Sequence, residues 1–258
     1  MKQFFISILF LLTSSLNAQY IGTTVSGGSP SNLSPLVDEL KAGWSFEESS
    51  GNALDLVNGY DLTNNGSVNQ QETGIIDYCC FFDNPDGPDA GDEYFGGDID
   101  TDFEFTGTFS IAVWVKTTVS TAYDGIVANY YTDNGWDLGN YNNVATFAIR
   151  NGGSGSTIVD GTTTINDGNW HLVCVSYDGA GDDSLKVWTD SGTFEDSGTR
   201  SGISYTSQCR LNVGRRHTTN WFRGYIDELF IFEDYELTDD DVAFLYNSGA
   251  GKYYPWEE

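Results

Sequence analysis

The sequence predicts an all-β protein: two antiparallel sheets packed as a sandwich, with one short helix near the C-terminus. Three observations carry this expectation. Val, Ile, Thr, Tyr and Phe recur in short runs that alternate in hydrophobicity, the period of a strand with one buried face. Gly, Asn and Asp cluster between the runs, where tight turns need residues that tolerate left-handed backbone. The 258 residues are 39% hydrophobic and 15% aromatic, enough for a substantial core and unlike a disordered chain.

Taken in order, Lys2 precedes a mostly apolar run from Phe4 to Leu12, followed by small and polar residues to Ala18. That order is expected of an export signal over residues 1–18. The apolar run is too short to span a bilayer comfortably. A buried N-terminal strand and an uncleaved anchor are the alternatives. Residues 19–39 carry Gly-Gly, two prolines and several serines and read as a linker. The sandwich is expected over residues 40–251, with a short tail over 252–258.

Residues 41–46 form the first expected strand. Residues 49–65 are turn-rich, with Leu54, Leu56, Tyr60 and Leu62 as core anchors. Residues 75–82 form a strand and lead into an acidic loop with Asp83, Asp86, Asp89 and Asp92. The spacing of these acids is not that of an EF-hand, so a solvated turn competes with a cation site; Asp98, Asp100 and Asp102 read the same way. Residues 109–116 alternate cleanly, placing Phe109, Ile111, Val113 and Val115 on one face. Residues 126–131, 145–150 and 157–160 are further strands. Residues 170–177 are apolar on both faces and predict an inner strand covered on both sides. Residues 185–190 follow across a Gly/Asp turn as a hairpin partner, and 209–214 and 222–232 complete the sheets. Thr238 opens the helix as an N-cap. Asp239, Asp240 and Asp241 lie where the helix dipole favours negative charge, and Asn247-Ser248-Gly249 ends it.

The net charge is −27, from 11 basic and 38 acidic residues. Such a surface repels nucleic acid and anionic membrane, because phosphate contacts require Lys and Arg. It favours solubility and cations held by carboxylates, or a saline habitat that screens self-repulsion. The four cysteines, Cys79, Cys80, Cys174 and Cys209, suit a disulfide in an exported chain, with at most one of the vicinal pair bridging to a distant strand. In a reducing compartment all four would be small buried hydrophobes.

An ordered series of segments resembles the laminin-G-like, concanavalin A-like lectin/glucanase domains. It includes Gly43-Trp-Ser-Phe-Glu-Glu48, Gly51-Asn-Ala-Leu-Asp55, Asn58-Gly-Tyr-Asp-Leu62, Phe109-Ser-Ile-Ala-Val-Trp-Val115, Asn169-Trp-His-Leu-Val173, Leu185-Lys-Val-Trp-Thr-Asp190, Leu211-Asn-Val-Gly214, Gly224-Tyr-Ile-Asp-Glu-Leu229 and Leu237 to Asn247. The resemblance implies a two-sheet antiparallel jelly roll in which Trp44, Trp114 and Trp170 belong to the core. It also implies a structural Ca²⁺ joining the first and last strands. The matching positions are Asp227 and Asp55, with Glu47 or Glu48 possible and backbone carbonyls completing the shell. The alternative at Asp227 is a carboxylate that accepts backbone N–H groups, since an acid in so apolar a strand needs donors or a cation.

Glycosidases of this fold carry two or more acids on one concave strand, as in Glu-x-Asp-x-x-Glu. The nearest stretch, residues 225–233, has Tyr225 in place of the leading Glu. Strand alternation sets Asp227 and Glu228 on opposite faces. No GxSxG, P-loop or HExxH is present, and His171 and His217 lack an evident nucleophile, so no catalytic residue is expected. For binding, Tyr130, Tyr131, Trp136 and Tyr141 read as an aromatic loop interleaved with Asp and Asn, suited to stacking on sugar faces. Trp188 is expected to be exposed on its strand, and Trp221 follows the basic stretch from Arg215. Ordinary packing beneath long loops is the alternative for each. The expected function is a secreted, non-catalytic module for carbohydrate recognition or adhesion, with a glycan or cell-surface polysaccharide as partner. A phage virion fibre or decoration domain is the alternative, and a glycan hydrolase stands behind both.

Overall fold

The computed structural model describes residues 34–84, 92–96, 101–120, 123–152, 155–179, 184–199, 202–218 and 220–256. The chain divides into two units, Met1–Ser31 and Asn32–Glu258, and every described residue belongs to the second. The export signal expected over 1–18, and Asp86, Asp89, Asp98 and Asp100 of the acidic stretches, lie outside the described residues.

In chain order the strands are β1 (Leu40–Trp44), β2 (Thr63–Asn65), β3 (Asn69–Thr73), β4 (Tyr78–Phe82), β5 (Tyr94–Gly96), β6 (Phe109–Lys116), β7 (Asp124–Tyr131), β8 (Asn134–Tyr141), β9 (Val144–Asn151), β10 (Ser156–Thr164), β11 (His171–Asp178), β12 (Ser184–Thr189), β13 (Asp196–Thr199), β14 (Leu211–Val213) and β15 (Gly224–Glu233). Among the described residues they form two antiparallel sheets. One runs β13-β12-β11-β6-β15-β4-β3, with β1 also on β15; the other runs β10-β9-β8-β7-β14-β5-β2. This is the jelly-roll sandwich the sequence predicts.

The main core lies between the sheets and includes Phe109, Ile111, Val113 and Val115 of β6, facing Trp136, Leu138, Phe147 and Ile149 of the other sheet. The opposite face of β6 and β11, with Ala112, Trp114, Leu172 and Cys174, belongs to a second apolar cluster under helix α2 (Asp239–Tyr246). That double coverage explains why β11 is apolar on both sides. Helix α2 begins with a capping box. Thr238 Oγ1 accepts from the Asp241 N–H at 3.2 Å, and Asp241 Oδ2 accepts from the Thr238 N–H at 2.8 Å.

Several boundaries and environments differ from expectation. The end of the expected linker is part of the fold: Ser34–Asp38 is a short helix, α1, and Leu36 is buried in the second cluster. The expected tail is also packed, because Trp256 is large and apolar and its ring centroid lies 4.9 Å from that of Phe230 and 6.2 Å from that of Phe232. Leu54 and Leu56 are exposed turn residues, whereas Leu62 is fully buried. All four cysteines are free and buried, so the expected disulfide is absent. Cys80 packs in the main core and Cys174 in the second cluster, on different layers of the sandwich.

Candidate functional site

The stretch read as an aromatic loop is a pair of strands. Thr132 and Asp133, with φ of 41° and 59°, form the two-residue turn between β7 and β8. Asn142 and Asn143, with φ of 50° and 75°, do the same between β8 and β9. Strand alternation then separates the aromatics. Trp136 and Leu138 point inward, and Trp136 is fully buried, its indole N–H donating to the Phe103 carbonyl at 3.0 Å. Trp136 is therefore not a sugar platform. Neither is Trp188, which is 1% exposed and donates to Asp239 Oδ1 at 2.8 Å, because α2 covers its face.

Tyr130, Tyr141 and Trp221 gather on the outer face of the seven-stranded sheet, and Tyr131, at the end of β7, reaches the same group through His217. Gly125 of β7 makes this possible. A Cβ there would lie 2.3 Å from the Arg216 nitrogen, so only glycine lets Arg215 and Arg216 lie against the strand. The segment is pinned by Gly125 N–H to the Asn220 carbonyl at 3.0 Å and by Phe222 N–H to the Gly214 carbonyl at 2.9 Å.

Asp137, at 0% exposure, is the electrostatic centre of this face. Arg150 Nε reaches its Oδ2 at 2.6 Å, Arg216 Nε stands 3.5 Å from Oδ1, and the Tyr123 hydroxyl donates to Oδ1. Burial, and then the Asp137 charge, hold the Tyr123 phenol well above its ordinary range, so it stays a donor. The guanidinium of Arg216 lies 3.9 Å from the Tyr130 ring centroid and 5.2 Å from that of Tyr123. Tyr123 in turn neighbours Tyr141, at 6.4 Å between centroids, and Tyr131 meets His217 edge-on at 4.9 Å. Burial and the charges of Arg215 and Arg216 lower the His217 pKa, which keeps the imidazole neutral near pH 7.

Beside this group Arg215 stacks on Tyr94, with Cζ 3.2 Å from the ring centroid and 5.2 Å from that of Trp221. Its Nε donates to Asn212 Oδ1 at 3.0 Å. The structure thus brings together Tyr130, Tyr131, Tyr141 and Trp221 of the sequence-predicted residues. It adds Tyr94, Tyr123 and Arg150, whose spacing in sequence offers no signal.

On the other sheet, β15 pairs with β4 through Gly224–Ile226 and with β1 through Leu229–Phe232. A bulge lies at this change of partner, between Asp227 and Phe230, and Glu228 has φ of 46°. The bulge breaks strand alternation, so Asp227 and Glu228 are not set apart into core and solvent: they are 0% and 1% exposed. Asp227 Oδ2 accepts from Ile75 N–H at 2.9 Å and Ile76 N–H at 3.2 Å, and Oδ1 from Glu228 N–H at 3.0 Å. Both carboxylate oxygens of Glu228 and Oε2 of Glu48 are buried with no hydrogen-bond partner. Burial raises the Asp227 pKa to about 8. Burial and the Asp227 charge raise that of Glu228 to about 9. Asp227 has three N–H donors and Glu228 none, so Glu228 is the acid that keeps a proton or needs a cation.

Glu47 accepts from the Tyr78 N–H at 3.2 Å. Asp55 is occupied elsewhere: its two oxygens accept from the N–H groups of Gly43, Val57, Asn58 and Tyr60, at 2.8 to 3.3 Å. It shapes the loop against β1, with two N–H donors on each oxygen. Among the described residues no three His, Cys, Asp or Glu side chains are grouped to hold a metal ion.

Two antiparallel sheets packed face to face in this strand order define a jelly-roll β-sandwich. The chain belongs to the concanavalin A-like lectin/glucanases superfamily, whose laminin-G profile matches residues 88–243. No curated protein sequence matches it. Among solved structures it is similar to botulinum neurotoxin type C, whose cell entry depends on interaction with two ganglioside molecules. The TM-score is 0.64 at 15% identity over 84% of this chain and 53% of that one. The binding domain of Paraclostridial Mosquitocidal Protein 1 gives 0.66 at 15% identity, over 83% and 53%. The binding domain of botulinum neurotoxin DC, in complex with rat synaptotagmin II, gives 0.60 at 18% identity, over 82% and 52%. These likenesses establish a shared fold, and the chain spans about half the length of those proteins. Among the described residues no helix is long and apolar enough to cross a membrane.

Proposed function

We propose that the chain is a non-catalytic binding module that acts outside the cell and recognises a surface or matrix glycan. The contact is the outer face of the seven-stranded sheet, through Tyr130, Tyr131, Tyr141 and Trp221. The observation that carries this reading is the convergence of partly exposed aromatic rings with arginine side chains on one face. Stacking on the apolar face of a sugar, with polar groups for its hydroxyls, needs that combination. The ganglioside dependence of the type C toxin supports the reading, as does the apolar N-terminal run after Lys2 for export. The non-catalytic part is supported by the burial of Asp227 and Glu228 out of reach of a substrate. A glycan array with the intact chain tests it. Binding to at least one glycan class, weakened about tenfold or more in Tyr130→Ala or Trp221→Ala, is the expected result; a folded protein that binds nothing on the array refutes it.

The proposal extends to a structural Ca²⁺ at the β15 bulge. The reading is supported by the two unpartnered oxygens of Glu228, a buried acid on which the charges of Asp227 and Glu47 act. Glu228 would hold the ion together with backbone carbonyls, with the charges of Asp227 and Glu47 nearby, and it would neutralise acids that burial otherwise disfavours. Removing Ca²⁺ with EDTA should lower the melting temperature by about 5 °C or more, and Glu228→Gln should abolish that sensitivity. An identical melting temperature with and without EDTA overturns the calcium site.

A further inference from the structure

Arg215 is the cation on this face that forms no ion pair with a described carboxylate, with Asp92 close enough only to act on its charge. Arg150 and Arg216 both lean on Asp137, and Arg150 also stands 3.9 Å from Asp133. Arg215 forms no ion pair with any described residue. Its Nε is satisfied by Asn212, and its flat side is covered by Tyr94. That leaves the terminal N–H groups of a guanidinium, a planar fork matched to two oxygens of an oxyanion. Trp221 stands next to it, and the Trp221 indole N–H is buried without an acceptor. An unpaired buried donor costs free energy, and so does a guanidinium taken partly out of water; each is relieved by an acceptor from outside. Arg215 and Arg216 are consecutive cations here, on a chain whose net charge is −27. Tyr94 and Trp221, with centroids 6.0 Å apart, offer ring surface beside the donors.

We propose that the glycan bound at this face is an acidic saccharide, and that its oxyanion is held by the terminal nitrogens of Arg215 and the indole N–H of Trp221. The inference rests on the glycan-binding reading above and specifies its ligand class. A carboxylate and a sulfate can each offer two oxygens to the fork. The large negative charge elsewhere on the chain opposes a long polyanion, so a single acidic sugar carries the recognition and further acidic units add little.

Titration calorimetry of the intact chain separates the cases. The probes are a short oligogalacturonate, its methyl ester, a neutral galactan oligosaccharide and a sulfated galactan oligosaccharide. The expected result is that the uronate or the sulfated sugar binds about ten- to a hundredfold tighter than its uncharged counterpart. Arg215→Gln should erase most of that preference, losing at least tenfold more affinity for the acid than for the neutral sugar. Arg215→Lys, which keeps charge without the fork, should restore part of it. Trp221→Phe keeps a ring and removes the donor, and should weaken the acidic sugar more than the neutral one. Unchanged melting temperatures show that the variants fold. Equal affinity for acid and ester, or a preference that survives Arg215→Gln, overturns the acidic ligand and leaves the glycan-binding module standing. Binding to none of the four sugars overturns the acidic ligand; failure of the glycan array as well removes the broader reading with it.

Discussion

Asp137 shows how one residue organises the sheet face. It accepts from Arg150 and Tyr123, pairs with the charge of Arg216 at 3.5 Å and has no exposure of its own. Replacing it with Ala leaves two guanidiniums packed against apolar and aromatic surface without their anion. Asp137→Ala should cost about 3–5 kcal/mol in urea unfolding, the usual loss when one partner of a buried pair is removed. A loss below about 1 kcal/mol would show that water already screens the pair. His171 offers a second test. Its Nδ1 lies 2.6 Å from Asp190 Oδ2 and its Nε2 3.0 Å from Asp167 Oδ1. The hydrogen bond to Asp190, opposed by burial and helped by Asp167, raises its pKa. The folded protein therefore holds a proton that the unfolded chain releases near pH 6.5. The contribution of His171 is complete below about pH 6.5 and is lost as pH rises through the higher folded value. His171→Gln should flatten that part of a stability-versus-pH curve. Neither network could be read from the sequence, since residues 123, 137, 150 and 216 meet only after three strands and a loop have paired.

At the scale of elements, β6 and β11 were legible because their alternation is unbroken and both faces are apolar. Strand β8 was not: Gly135, Asp137, Gly139 and Asn140 interrupt it, so it reads as a loop and Trp136 reads as accessible. Those residues are there because the outer face of β8 carries a buried acid and allows other backbone to approach closely. Gly135 has φ of 93°, and a Cβ on it would lie 1.9 Å from the Asn129 carbonyl oxygen. Gly135→Ala should therefore destabilise the fold by about 3 kcal/mol or more in denaturant unfolding. A neutral effect would mean that the turn relaxes around the methyl group. The bulge in β15 hid in the same way. Asp227-Glu228 within an apolar strand looks like two acids on two faces, and only the change of partner from β4 to β1 reveals that both are buried.

At the scale of the whole molecule, a net charge of −27 is spread over a fold that carries no disulfide among its four buried cysteines. Self-repulsion should make stability depend on ionic strength: the melting temperature should rise by a few degrees between low and high sodium chloride, as screening shortens the range of the repulsion. Dithiothreitol should leave the melting temperature unchanged, because the cysteines act as small apolar side chains in the core. A drop on reduction would reveal a cross-link. The packed Leu36 and Trp256 extend the cooperative unit to residues that composition assigned to a linker and a tail, so trimming either end should cost stability.

By itself the sequence determined the class of fold, most of its strands, the capped helix and the acidic surface. These depend on local periodicity, turn chemistry and charge, which neighbouring residues express without help from the rest of the chain. Only the tertiary structure decided which aromatics are core and which share a face. It also decided that Asp55 shapes a loop, that Glu228 is buried, and that Arg215 is left with free donors beside Trp221. Those outcomes depend on strand partners and register distant in sequence, and on a glycine whose missing side chain lets one segment lie against another.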